Sequence, residues 1–310
     1  MAAMALSAVL NTFAGNPLDR VSERRTDEAW LAERLADPAT QAIAVWNGDV
    51  LVEGNGDAVR LARLPIGLAC KVAPGDEFLA LLGLDGDQAL FCIDLEGTAD
   101  PTAGPLQGLG AFVGLRELAP RLSGPEAGIA ATAKALFDWR RRHRFCSSCG
   151  SPSRPAEAGW KRICEACGTE HFPRTDPVVI MLPVAGDRCL LGHNARFRAG
   201  LFSTLAGFVE PGEAVEEACA RELHEEAGLV ALKVTYHSSQ PWPFPGSLMI
   251  GLIAEVEDAE ATPDQTELEA VRWFTRAEAR ALLEGRLDDV SSPAPMAIAH
   301  QLIKSWAYGT

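Results

Sequence analysis

The chain has 310 residues, 47% of them hydrophobic and 23% charged, with a formal net charge of −14 and a pI near 4.9. That length points to two or three domains of ordinary globular balance, and without an apolar run of about 18 residues a membrane span is not expected. So large an acidic excess argues against a protein that coats nucleic acid non-specifically, while leaving room for a nucleic-acid end entering a pocket.

The opening stretch MAAMALSAVLNTFAGNPLDR is mildly apolar but lacks the basic n-region of a secretory signal, so it reads as the first element of a folded domain. The closing WAYGT matches no receptor-read address. Up to about residue 125, short apolar runs such as QAIAVW, DVLVEG and EFLALLGLDGDQALFCIDL alternate with Gly, Asp and Pro turns. This is the pattern of strands and turns, and it predicts an N-terminal α+β domain over 1–125 with no catalytic constellation of its own. The Ala-rich periodicity of AGIAATAKALFDWRRR predicts a helix from about Ser123 to Arg142, a connecting element within 126–144. Its basic end, RRRHRF, is either an anion or nucleic-acid contact or, more simply, a set of cations offsetting the helix C-terminus. No internal repeat stands out.

Eight cysteines in a large acidic chain point to a reducing compartment and metal binding rather than a disulfide framework. Four of them cluster. Cys146 and Cys149 form one C-x2-C pair and Cys164 and Cys167 a second, fourteen residues later. Two such turns bring four thiolates to one point, the tetrahedral arrangement that zinc favours, and a closed four-sulfur site is structural because no coordination position stays open. Gly150 and Gly168 follow each pair where a tight turn needs conformational freedom. This predicts a four-cysteine zinc ribbon over 145–172. Cys70, Cys92, Cys189 and Cys219 read as small buried hydrophobes.

From DPVVIMLPV at Asp176 onward strands alternate with helices, which predicts a third domain over 173–310. Within it lies GFVEPGEAVEEACARELHEEAGL. Pro211 and Gly212 make a turn before a helix starting near Ala214, and Gly228 stops it. Glu222, Glu225 and Glu226 then fall at i, i+3 and i+4 on one face. Three like charges there repel, and a divalent cation such as magnesium or manganese, bridging to phosphate oxygens, would relieve them. Ten residues past Leu229 comes SQPWPFPGS, too stiff for a helix and too apolar for an idle loop. Prolines limit the entropy lost on ordering it, rings offer stacking faces, and Gln240 and Ser247 offer hydrogen bonds.

The first of these stretches resembles the signature of the Nudix hydrolases, G-x5-E-x7-R-E-U-x-E-E-x-G-U with U aliphatic. Gly207, Glu213, Arg221, Glu222, Leu223, Glu225, Glu226, Gly228 and Leu229 fill every fixed position. The second resembles the S-Q-P-W-P-F-P-x-S array of the NADH pyrophosphatase subfamily, which also carries a four-cysteine ribbon. The resemblance is firm from about residue 140 and thin before it. It implies a C-terminal Nudix α/β/α sandwich on a mixed sheet, and metal-dependent cleavage of a nucleoside diphosphate by activated water.

By the same resemblance Glu222, Glu226, Glu267 and the carbonyl of Ala206 would hold Mg2+ or Mn2+. Glu225 would serve as ligand or proton acceptor, and Arg221 would orient the glutamates. Gln240, Pro241, Trp242, Pro243, Phe244, Pro245, Gly246 and Ser247 would bind substrate, with Phe172, Ala299 and, more distantly, Arg116. Phe208 would be a stacking partner or a core residue. Gly159 stands where some members carry a substrate-touching carboxylate. The implied substrates are NADH or NAD, cleaved to nicotinamide mononucleotide and AMP, and NAD-capped RNA 5′ ends, which sequence cannot rank. ADP-ribose, or a catalytically silent binding module built on the ribbon, are the alternatives. The resemblance also implies a cytoplasmic homodimer without membrane contact.

Overall fold

A computed structural model describes residues 11–54, 56, 59–75 and 78–309. The first ten residues, read above as the start of a folded element, lie outside the described residues. The chain divides into two compact units. One joins Asp176–Pro241 and Ser247–Thr310 with the N-terminal stretch to Thr12, and the other comprises Phe13–Thr175 with Trp242–Gly246.

In the Phe13–Thr175 unit the strands are β1 (Gln41–Trp46), β2 (Asp49–Glu53), β3 (Arg60–Leu61), β4 (Leu64–Pro65), β5 (Leu79–Asp85), β6 (Gln88–Asp94) and β7 (Ala111–Val113). The helices are α1 (Glu28–Ala36), α2 (Ile66–Val72), α3 (Leu115–Leu118) and α4 (Gly124–Arg142). The sheet runs β3-β2-β1-β6-β5, with β4 on β1 and β7 on β2. Only the β1–β6 pair is parallel among the registered pairs of this sheet. Helix α4 starts where the sequence predicts, Ser123 Oγ accepting from the Glu126 N–H at 3.4 Å, and its Ala-rich face is buried. The basic end of α4 is mostly committed inside the unit: Arg140 donates to the Leu79 carbonyl at 3.0 Å, and Arg141 pairs with Asp138 and Glu96. The same unit continues into the ribbon, a small sheet of β8 (Ser153–Ala156), β9 (Lys161–Cys164) and β10 (Glu170–His171) in the order β10-β9-β8.

The other unit contains β11 (Asp176–Ala185), β12 (Arg188–Asn194), β13 (Leu205–Phe208), β14 (Ala231–Trp242), β15 (Ser247–Val256) and β16 (Leu268–Thr275). Its helices are α5 (Val215–Ala227), α6 (Arg276–Leu283) and α7 (Ile298–Tyr308). The sheet order is β14-β15-β11-β12-β16, with β13 on β11. Strand β11 is a continuous apolar run because both its faces are covered. Val179 and Met181 pack toward Ala218, Cys219 and Leu223 of α5, while Ile180 and Leu182 pack toward Leu282 of α6 and Leu302 and Ile303 of α7. This is the expected three-layer sandwich on a mixed sheet.

The two sheets share one pairing scheme, a repeat that the sequence does not display. The central strand, β1 or β11, is antiparallel to the next strand, β2 or β12, and to a short third, β4 or β13. It is parallel to β6 or β15, and β2 or β12 pairs in turn with β7 or β16. In each sheet a helix directly follows the short strand: α2 in one, α5 in the other. Among the described residues no helix is long and apolar enough to cross a membrane.

Of the scattered cysteines, Cys92, Cys189 and Cys219 are buried as expected, and burial pushes the Cys189 and Cys219 thiols up to about 12. Cys70 is a correction: it is exposed, on the outer face of the short helix α2.

Gly159 sits at φ +92°, and a Cβ there would come within 2.6 Å of the Ala80 Cβ. Backbone conformation and packing both exclude a side chain, so this chain cannot carry a carboxylate at that position without rearrangement. Gly159→Asp is expected to destabilise the Phe13–Thr175 unit by about 1–3 kcal/mol, from overpacking together with a strained φ. Urea unfolding of the variant against wild type measures it.

Candidate active site

Helix α5 is fixed at both ends. The Ala214 N–H donates to Glu217 Oε2 at 2.7 Å. Gly228 closes the helix at φ 69°, its N–H bonded to the His224 carbonyl. The face carrying Ala218, Cys219, Leu223 and Ala227 is buried against the sheet, and this carries the glutamates beside it to the edge of β13. Glu222 lies so close to the β13 backbone that a methyl group at Gly207 would overlap its carboxyl. The signature glycine is there for that approach, not for an unusual φ.

Arg221 holds the acidic groups together. Its guanidinium forks onto Glu213 at 2.6 and 3.0 Å, reaches Glu222 at 3.0 Å and Glu225 at 2.9 Å, and donates to the Phe208 carbonyl at 2.9 Å. The Arg221 hydrogen bonds, assisted by the Glu210 N–H, hold the Glu213 carboxyl down to about 2. Glu222 is shifted the other way, chiefly because it is desolvated. Glu225 stays exposed.

Glu226 is the extreme case. It is only 5% exposed, and its Oε2 has no hydrogen-bond partner among the described residues. Burial, then the charges of Glu222, Glu267 and Asp264, push its carboxyl up to about 8, with the Ala206 N–H offsetting part of this. A bare, buried carboxylate oxygen in the field of three further acids suits a divalent cation. Only the four cysteines bring three or more ligand atoms within 4.8 Å of one another among the described residues. The carboxylates therefore form an open set, suited to a cation that keeps part of its water shell. Glu222, Glu226, Glu267 and the Ala206 carbonyl would hold it. Sequence reasoning missed Asp264, whose only signal is its place three residues before Glu267.

Other expected substrate residues divide into groups. Phe208 is 60% exposed, which removes its core reading. Ala299 is buried in the first turn of α7, where only its backbone could meet a ligand. Ser247 opens β15 opposite Asp176. Gln240 is a correction. It is 0% exposed, its Nε2 donates to the Thr12 and Met296 carbonyls at 3.0 and 2.7 Å, and its Oε1 accepts from the Ile298 N–H at 2.8 Å. Its amide is committed within the unit and ties down the start of α7.

Trp242 and Phe244 belong to the other unit, where their rings pack edge-on against each other at 5.2 Å and against the buried Phe13 at 6.2 and 5.9 Å. Arg116 lies over Phe244 at 4.1 Å and over Trp242 at 5.4 Å, a cation–π arrangement that fixes the ring planes. Pro243 is buried while Pro241, Pro245 and Gly246 are partly exposed. Phe172 is exposed, with Lys161 5.7 Å from its ring centre.

The ribbon consists of two matching knuckles. In one, the Gly150 N–H donates to the Cys146 carbonyl at 2.9 Å and the Cys146 N–H to Ser151 at 2.8 Å. In the other, Gly168 and Cys164 repeat this pattern at 2.8 and 2.9 Å. Gly150 and Gly168 take φ of 75° and 74°. The Cys146–Cys167 and Cys149–Cys164 sulfur separations are 3.7 and 3.4 Å. A tetrahedron with Zn–S bonds of about 2.3 Å has edges of about 3.8 Å, so the cluster fits zinc. Against the cost of burial, the Cys149 and Ser148 N–H groups lead in drawing the Cys146 thiol down to about 5, towards the thiolate that zinc binds.

Residues 174–293 match the family model described as the NUDIX domain. Residues 141–172 match the NADH pyrophosphatase zinc ribbon domain, and 39–139 the NADH pyrophosphatase-like rudimentary NUDIX domain. The NAD-capped RNA hydrolase NUDT12 of Macaca fascicularis is 36% identical over 339 residues, covering 96% of this chain and 73% of that protein. The NAD-capped RNA hydrolase NudC of Mycobacterium bovis (strain BCG / Pasteur 1173P2) is 37% identical over 291 residues, covering 89% and 91%. The protein of that name from Stutzerimonas stutzeri is 40% identical over 225 residues, covering 72% and 75%.

Two outcomes follow from the acidic site. Gly207→Ala displaces the Glu222 carboxyl by the width of a methyl group, and is expected to lower kcat by about 100-fold while the fold is retained. Steady-state kinetics with circular dichroism checks this. The second concerns pH. With its carboxyl raised from an ordinary value near 4.5 to about 8, the cation-free folded protein binds a proton that the unfolded chain has released. Stability of the cation-free protein therefore falls as pH rises through that window. A bound cation displaces the proton, so Mn2+ should raise the thermal midpoint more at alkaline than at mildly acidic pH. Scanning calorimetry across pH reads this directly.

Proposed function

The chain belongs to the Nudix hydrolases of the NADH pyrophosphatase type, and we propose that it hydrolyses the diphosphate of NADH and NAD to nicotinamide mononucleotide and AMP. Removal of NAD caps from RNA 5′ ends, leaving 5′-monophosphate RNA, belongs to the same proposal because the bond broken is the same. The observation that carries this is the buried, unpartnered Glu226 oxygen on a complete signature helix, with Glu222, Glu267 and Asp264 acting on it.

When bound there, Mg2+ or Mn2+ supplies charge neutralisation for the diphosphate and a more acidic water. The protein's own groups do the rest. Glu222 and Glu226 hold the cation, Glu225 stands at the exposed end as ligand or proton acceptor, and Arg221 fixes Glu222 and Glu225 relative to each other. The burial of Glu226 keeps water from competing for its oxygen. In the Phe13–Thr175 unit Trp242, Phe244 and Phe172 offer ring faces for nicotinamide or adenine, Arg116 holds the first two in place, and Pro243, Pro245 and Gly246 shape the backbone beside them. In the other unit Phe208 offers a ring face, Pro241 stiffens the end of β14, and Ser247 and the backbone at Ala299 offer hydrogen bonds. Gln240 serves only through the position of α7.

The division into 1–125, 126–144, 145–172 and 173–310 is part of this reading; matches over 141–172 and 174–293 support its last two parts, while the N-terminal match, 39–139, runs on into the connecting helix. Also part of it are a cytoplasmic setting, which a four-thiolate metal cluster suits, and a homodimer. Exposed Val230, Leu232 and Tyr236, at and beside the edge strand β14, supply apolar area that a second copy would cover.

The purified protein and its Glu226→Gln variant, incubated in parallel with NADH, ADP-ribose and NAD-capped RNA plus Mg2+ or Mn2+, test the proposal. We expect AMP from NADH and monophosphate-ended RNA from the capped transcript, both reduced at least about 100-fold in the variant. Cleavage of ADP-ribose alone would show that the aromatic stretch is misread. Absence of turnover by the unmodified protein would favour a binding module.

A further inference from the structure

We propose that Asp264 is a positioning residue that sets Glu267 for the divalent cation. This rests on the reading of Glu222, Glu226 and Glu267 as the cation's ligands. Asp264 opens a five-residue turn that leads into β16. Its Oδ1 accepts from the Leu268 N–H at 2.9 Å and the Glu267 N–H at 3.2 Å, and its Oδ2 accepts from the same Glu267 N–H at 3.0 Å. The Gln265 N–H closes the turn from the other side, donating to the Leu268 carbonyl at 3.1 Å, with Gln265 at φ 62°.

Leu268 is the fixed end of this arrangement. It is buried in the core, packed so tightly over Gly192 that a Cβ there would lie 2.8 Å from its Cδ1. Clamped by Asp264 on one side and anchored by Leu268 on the other, the Glu267 backbone has one place to be. Its side chain is nevertheless exposed, and an exposed glutamate on a loose loop would have to be ordered each time a cation bound. The clamp meets that ordering cost at folding instead. Both Glu267 and Asp264 act electrostatically on Glu226, whose bare buried oxygen marks where the cation belongs. Asp264 does not need to be a ligand itself, because its oxygens are already engaged by backbone N–H groups. It acts through Glu267, as partners behind metal ligands commonly do.

The test is Mn2+ binding to the full chain, measured by electron paramagnetic resonance and by titration calorimetry. It compares wild type with Asp264→Ala, Asp264→Asn, Glu267→Gln and the double variant Asp264→Ala/Glu267→Gln. Loss of a partner behind a metal ligand typically weakens affinity about 10–100-fold, and that range is expected for Asp264→Ala. Asp264→Asn keeps one accepting oxygen and should recover part of the loss. The double variant should bind no more weakly than Glu267→Gln alone, because the first change has nothing left to act through.

Wild-type affinity in Asp264→Ala, with or without a lowered thermal midpoint, overturns the proposal. Equal weakening in the Asn and Ala variants overturns it in favour of a charge effect. Additive losses in the double variant overturn it in favour of an independent role. If Asp264→Ala does not fold, the Asn variant and its combination with Glu267→Gln carry the same comparison. Failure of the wild-type protein to bind Mn2+ would bring down the cation site itself, a result distinct from all of these.

Discussion

One guanidinium makes the acidic helix possible. Glu222, Glu225 and Glu226 share a face of α5, and without a counter-charge their repulsion would oppose both the helix and its packing on β13. Arg221, one residue ahead of them, answers this from inside the same turn. It spreads its donors over Glu213, Glu222 and Glu225, and its last N–H reaches the Phe208 carbonyl. A lysine could offer the charge but not the planar fork that contacts several oxygens at fixed angles. Glu226 is the one acid Arg221 does not reach, and it is the most deeply buried. The arrangement thus satisfies three carboxylates internally and leaves the fourth group of the cluster with an unmet need, which suits the helix to a cation rather than to a closed salt-bridge network.

The glycine of the signature belongs to the same constraint. Because the Glu222 carboxyl rests on the β13 backbone, any side chain at Gly207 would push it away from Glu226. Helix, strand and arginine therefore define the geometry jointly, and the sheet order explains why they can. Strand β13 lies on the central strand β11, whose alternating apolar residues bind α5 on one side and α6 with α7 on the other.

How much of this was legible depended on distance along the chain. The α5 motif and the cysteine knuckles are local: their spacing decides which side chains meet, so Glu222, Glu226 and the four cysteines could be read directly, as could the bounds of α4 and α5. Features that depend on remote partners could not. Gln240 has the chemistry of a ligand-binding amide, but its partners at Thr12, Met296 and Ile298 lie 56 or more residues away, and nothing in its neighbours reveals them. Phe13, which completes the ring cluster with Trp242 and Phe244, is hidden for the same reason. Asp264 was passed over because an Asp in a turn is ordinary, and its importance comes only from which carboxylates the turn delivers to the site. The doubled strand scheme escaped notice because backbone ladders repeat without requiring the same side chains.

That doubling has an evolutionary reading. Helix α2 occupies in one sheet the place that α5 occupies in the other, yet its seven residues, IGLACKV, include no acid. If both descend from one ancestral unit, the first has been released from the chemistry and answers only to packing, where Ile66 and Ala69 are its buried contacts. The second must satisfy packing and charge at once. The two halves should then tolerate substitution unequally: the α2 side drifts freely wherever volume is kept, and the α5 side is held residue by residue.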